Sequence, residues 1–131
     1  MQYYIMLIVC LCAAFIVLGA HYKSLQPYLS RNCQGLRWRR AFPNATSREI
    51  RSFLNVFGVG FGFGQRHLLK FSPADSLMQI YNANNPLRGV DALEFESLAT
   101  ALQRQYGFNF QNVWRPQLTL GELFALVRGA P

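Results

Sequence analysis

The first twenty residues carry no charged side chain, and no aspartate or glutamate occurs before Glu49. Cysteine is scarce: Cys10 and Cys12 lie within the apolar start and Cys33 stands alone, which excludes a disulfide framework and suits a reducing compartment. Cys33, close to Arg31 and Arg37, has no histidine or aspartate near it in sequence and receives no role. The two histidines, His21 and His67, are too far apart to read as a ligand pair, so no metal is expected. Asp75 and Asp91 read as loop and cap residues. Nothing in this inventory forms a nucleophile-base pair, so the chain is expected to be non-enzymatic and to hold no cofactor.

What is present is unevenly spread. All 13 Lys and Arg follow residue 20. Between residues 21 and 45 Lys23, Arg31, Arg37, Arg39 and Arg40 meet no acid, whereas residues 46–131 hold eight bases and six acids. A pI near 9.8 would ordinarily raise nucleic-acid binding. Here the excess is concentrated beside the apolar start, where membrane lipid is the nearer partner, and nucleic acid is not expected.

Residues 1–22 are expected to form a transmembrane anchor. Nine of the first twenty are Leu, Ile, Val or Phe, and at about −0.3 to −0.6 kcal/mol each they favour insertion by roughly 3 to 5 kcal/mol. No basic n-region precedes them and Leu18-Gly19-Ala20 is a poor cleavage site, which disfavours a signal peptide. Bases following the apolar run place the remainder in the cytoplasm, consistent with a bacterial inner membrane. In that orientation the sequon Asn44-Ala45-Thr46 has no meaning. Residues 23–45 read as a basic juxtamembrane linker bracketed by Pro27 and Pro43. Within it Arg37, Trp38, Arg39 and Arg40 interleave charge and ring as a lipid-surface segment would, and a solvated topology signal is the alternative.

Residues 46–131 are expected to be a small all-α bundle of three or four helices. Three pairs with capping-box spacing mark helix starts: Thr46 with Glu49, Asp91 with Glu94, and Thr119 with Glu122. Behind them run stripes of helical period: Ile50, Phe53, Leu54 and Phe57; Phe95, Leu98, Leu102 and Tyr106, stopped by Gly107; then Leu120, Leu123, Phe124 and Val127 before Gly129. Val113-Trp114 before Pro116 allows at most a short helical turn. The stretch from Gly58 to Gly64 alternates glycine with Val and Phe, which predicts an extended or turning loop whose side chains cover the bundle, or else an exposed apolar strip. It lacks the third glycine of a dinucleotide fingerprint and the Lys-Ser/Thr of a P-loop.

Gly89-Val90-Asp91-Ala92-Leu93-Glu94, continued by Leu98, Ala101-Leu102 and Tyr106, resembles the acyl carrier protein signature, and the likeness extends from Thr46 to Val127. The resemblance implies an acyl-carrier-like bundle. It also implies that a serine should follow Asp91 to accept 4′-phosphopantetheine, but Ala92 has no hydroxyl and no prosthetic group is expected. Ser97, more than one turn into the helix, reads as a solvent-facing serine. By analogy with the family's recognition face, Arg88, Val90, Glu94 and Glu96 are expected to meet a membrane-associated protein. The chain is thus expected to be a membrane-anchored interaction module or structural subunit. The alternatives are a genuine membrane-tethered carrier whose serine was changed to Ala92, and a lipid-binding module of the membrane surface.

Overall fold

The computed structural model describes residues 1–84 and 93–129, with the backbone alone between 17 and 24. Among these residues the chain is helical: α1 (Gln2–Leu29), α2 (Gly35–Ala41), α3 (Ser47–Phe61), a 3-10 segment (Gln65–Lys70), α4 (Leu77–Asn84), α5 (Leu93–Tyr106), a second 3-10 turn (Phe110–Asn112) and α6 (Leu120–Gly129). The all-α expectation holds. One antiparallel bridge, Ser76 to Thr119, ties the entry of α4 to that of α6.

Every side chain from Met1 to Ile16 is exposed, Leu7 by 62% and Phe15 by 76%. Among the described residues no helix is long and apolar enough to cross a membrane. At its other end α1 is held by the bundle. Leu25 is buried and the Tyr28 ring lies 5.6 Å from that of Phe71.

The basic stretch 23–45, assigned from the sequence to a linker, is folded into the bundle. Pro27 sits inside α1, a few residues from its end. Trp38, on α2, is fully buried and donates its indole N–H to the Phe71 carbonyl at 2.9 Å. Its ring meets Phe124 edge-on at 5.8 Å and Phe53 at 6.2 Å. A large ring with its single polar atom satisfied gains more inside the core than at a lipid boundary, which corrects the lipid-surface role expected for it. Local sequence gave no sign of this, because the hydrogen-bond partner is 33 residues away.

α3 begins where its capping box predicts. Glu49 N–H donates to Thr46 Oγ1 at 3.1 Å and Thr46 N–H to the Glu49 carboxylate at 2.8 Å. Ile50, Phe53, Leu54 and Phe57 are all buried. The helix then runs through Gly58 and Gly60 to Phe61, where an extended loop was expected. Glycine costs about 1 kcal/mol in a helix interior; close packing offsets it here. A Cβ on Gly60 would stand 2.8 Å from Leu98 Cα and 3.0 Å from Leu98 N, so the missing side chain is what lets α3 and α5 touch backbone to backbone. Gly62 ends the helix at φ 78°, and Phe63 N–H returns to the Gly58 carbonyl at 2.9 Å. Phe61 is buried and Phe63 half-buried at 4.9 Å from the Phe71 ring, so these rings cover the core, while Val59 is exposed.

In α5 Leu98 and Leu102 are buried and Phe95 and Tyr106 half-buried; Leu120, Leu123, Phe124 and Val127 of α6 are all buried. The predicted stripes are therefore the inner faces. α4 falls in what reads as a long loop: its two buried residues, Leu77 and Ile80, are too few to announce a helix.

Gly60→Ala gives a test whose sign is decided by packing. The same change at an ordinary helical glycine stabilises by about 1 kcal/mol, whereas overpacking against Leu98 should destabilise by about 1 to 3 kcal/mol. Chemical denaturation in detergent micelles measures it, and an unchanged or raised midpoint would mean that the two helices do not touch at Gly60.

Candidate interaction site

A polar cluster lies where α1 enters the bundle. Arg31, just past the end of α1, grips Asp75 with both terminal nitrogens, at 2.7 and 2.9 Å. Asp75 Oδ2 also accepts from Ser72 N–H at 2.7 Å, and the Asp75 carbonyl accepts from Leu120 N–H at 2.9 Å. Arg31 donates further to the Lys70 carbonyl, while Lys70 Nζ donates back to the Arg31 carbonyl. Gln34 N–H reaches the Leu69 carbonyl at 2.7 Å. The paired carboxylate raises the guanidinium pKa above its already high ordinary value, chiefly through the hydrogen bond. Burial, with a smaller contribution from Asp75, raises that of the Tyr28 hydroxyl. The cluster is structural chemistry: the Arg31, Lys70 and Asp75 contacts fasten one segment to another.

Asp75 therefore does more than the loop residue it resembles in sequence. Its partner lies 44 positions away, and nothing in the local sequence marked the pairing. The Arg128 guanidinium is 3.8 Å from the Glu49 carboxylate, and Arg115 pairs with Glu122. Glu122 N–H donates to Thr119 Oγ1 at 3.1 Å, so the threonine of that box caps α6.

Of the face expected to meet a protein partner, Arg88 and Val90 lie outside the described residues. So do Asp91 and Ala92, the positions that carry the carrier-like motif. Glu94 is half-buried and Glu96 exposed, both in the first turn of α5, where a negative charge suits the helix dipole. Leu93 and Ser97 are exposed. Beside Glu96 is a hollow of about 240 Å³ lined by Phe95, Ala99, Phe110 and Trp114, with the Phe95 and Trp114 rings 4.6 Å apart. Of the segment expected at a lipid surface, Arg37, Arg39 and Arg40 are exposed and Trp38 is turned inward. The three arginines and the α5 turn are thus accessible, but no described contact brings them together.

Two unequal costs should distinguish the members of the clamp. The Asp75 side chain is 9% exposed and that of Arg31 29%. Arg31→Met strands a buried carboxylate and should cost about 3 kcal/mol. Asp75→Asn leaves a guanidinium that can still reach water and an amide oxygen that can still accept from Ser72, so about 1 to 2 kcal/mol is expected. Urea unfolding of the two single variants and the double variant measures the coupling; additive effects would mean that the pair contributes nothing. Comparison with protein-family models, with curated proteins and with solved structures returned no match.

Proposed function

We propose that the chain is a membrane-tethered, non-enzymatic interaction module: a carrier-like helical bundle held at a bilayer by the first part of α1. The observation that supports the tether is the row of exposed apolar side chains from Tyr3 to Ile16 on a helix whose other end is fastened into the core through Leu25 and Tyr28. Left in water, such a row is costly at about 25 cal/mol for each Å² of apolar surface. Continued through Val17-Leu18-Gly19-Ala20 it reaches the length of a hydrocarbon core. A fastened rather than flexible junction fixes the bundle's height and tilt over the lipid, which an adaptor or structural subunit needs.

The carrier-like half of the proposal rests on the resemblance around Asp91-Ala92-Leu93. Without a hydroxyl at residue 92 the bundle has only its surface to offer, and the start of α5, with Glu94 and Glu96, is where a membrane-associated protein would dock. Incubation with a phosphopantetheinyl transferase and coenzyme A should leave the intact mass unchanged. A mass increase at any serine would replace the adaptor reading by that of a working carrier.

Alkaline carbonate should leave the full chain in the membrane pellet, and a membrane-impermeant maleimide on intact cells should not label Cys33, which is exposed on the bundle. Release by carbonate would remove the tether, and labelling of Cys33 would put the bundle on the outer side.

A further inference from the structure

The exposed face of α3 borders a groove that none of the roles above uses. It has a volume of about 600 Å³ and lies between α3 and the 3-10 segment after it, with Arg48, Arg51, Ser52, Asn55 and Gln65 among its walls and Leu54, Leu68 and Leu69 as its apolar lining. A second cleft of about 260 Å³ continues it towards α2 and shares Ser47, Arg51 and Leu69; Arg39 joins there and donates to Ser47 Oγ at 3.2 Å. Arg48, Arg51, Ser52 and Asn55 recur at three- and four-residue spacing, opposite the buried stripe of the same helix. Neither cleft has an acid among its lining residues. The acid of α3, Glu49, is held by the Thr46 N–H and lies towards Arg128. Of the remaining described carboxylates, Asp75 is engaged by Arg31 and Glu122 by Arg115, and Glu94 and Glu96 stand in the first turn of α5.

Two arginines around an apolar-lined groove, with Arg39 in the cleft that adjoins it, make a receptor for a molecule that is anionic at one end and apolar beyond it. Guanidinium groups match phosphate oxygens in geometry, and neutral Ser, Asn and Gln side chains supply the hydrogen bonds that glycerol or sugar hydroxyls would need. We propose that this groove binds the phosphate-bearing headgroup of an anionic phospholipid. The choice of a lipid among phosphate esters rests on the tether proposed above, which holds the bundle against such headgroups at high local concentration. It extends the basic surface beyond Arg37, Arg39 and Arg40 to α3, in a part of the chain whose sequence is nearly balanced in charge.

The test uses the full chain in a zwitterionic detergent, titrated with dioctanoyl phosphatidylglycerol, dioctanoyl phosphatidylcholine or glycerol phosphate, and followed by amide and arginine side-chain NMR shifts. Phosphatidylglycerol should saturate with shifts at Arg39, Arg48 and Arg51, and phosphatidylcholine should not. Arg48→Gln with Arg51→Gln should weaken binding about tenfold or more, at about 1 kcal/mol for each base lost near an anionic group. Arg104→Gln, on α5, should leave binding unchanged, and an unaltered melting temperature of the double variant would show that its fold survives. Equal affinity for both lipids, or an affinity untouched by the double variant, would overturn the proposal; glycerol phosphate binding as tightly as phosphatidylglycerol would overturn its lipid assignment. Because the lipids are delivered in solution, the outcome is separate from that of carbonate extraction. Release by carbonate with phosphatidylglycerol selectivity intact would remove the tether and keep the groove.

Discussion

The carboxylate of Asp75 is the constraint on which the arrangement of the bundle depends. Buried in a medium of low polarity, it needs a cation and hydrogen bonds together, and it obtains them from Arg31 and Ser72. Those contacts draw the end of α1 onto the entry of α4. The backbone of the same short segment then pairs with the entry of α6, through Leu120 N–H to the Asp75 carbonyl, Leu77 N–H to the Leu118 carbonyl at 3.0 Å and Gly121 N–H to the Pro73 carbonyl at 2.8 Å. Three parts of the chain remote in sequence are thereby set in register by one acid and the strand-like turn that carries it. A buried ion pair adds little net stability, but removing one partner is costly, so the pair acts as a specification of geometry.

The aromatic core is assembled around that register. Trp38, Phe42, Phe53 and Phe124 form one group, and Phe57, Phe61, Phe63 and Phe71 another, with tilted and edge-on rings mostly 5 to 6 Å apart. Phe71 belongs to both the core and the clamp: its ring meets Tyr28 and its carbonyl accepts from Trp38. Disturbing the junction of α1 therefore reaches the centre of the bundle without an intervening flexible joint.

Charge is divided in the same way. Three carboxylates, Asp75, Glu49 and Glu122, are drawn into fastening or capping the fold, and Glu94 and Glu96 sit at the start of α5. Arginines on α2 and α3 are left facing outwards, so the bundle presents a basic side. Which side that is does not follow from the net charge, because Arg31 and Asp75, like Arg128 and Glu49, pair across dozens of positions.

The sequence by itself determined the helical class, the starts of α3 and α6 and the inner faces of α3, α5 and α6. All of these are local: a cap and its glutamate lie three residues apart, and an apolar stripe repeats within two turns. It also gave the uncharged start and the basic stretch behind it, which are matters of composition. Tertiary structure decided what distance in the chain conceals. Trp38 is an interior ring because Phe71 offers it an acceptor, Asp75 is a hub because Arg31 reaches it, and the stretch 23–45 belongs to the bundle because its apolar residues found partners there. The glycine-rich stretch became helix for a related reason: propensity argues against it, and contact of Gly60 with Leu98 of another helix outweighs propensity. Periodicity records which face of a helix is buried, but what that face is buried against is fixed only when the helices meet.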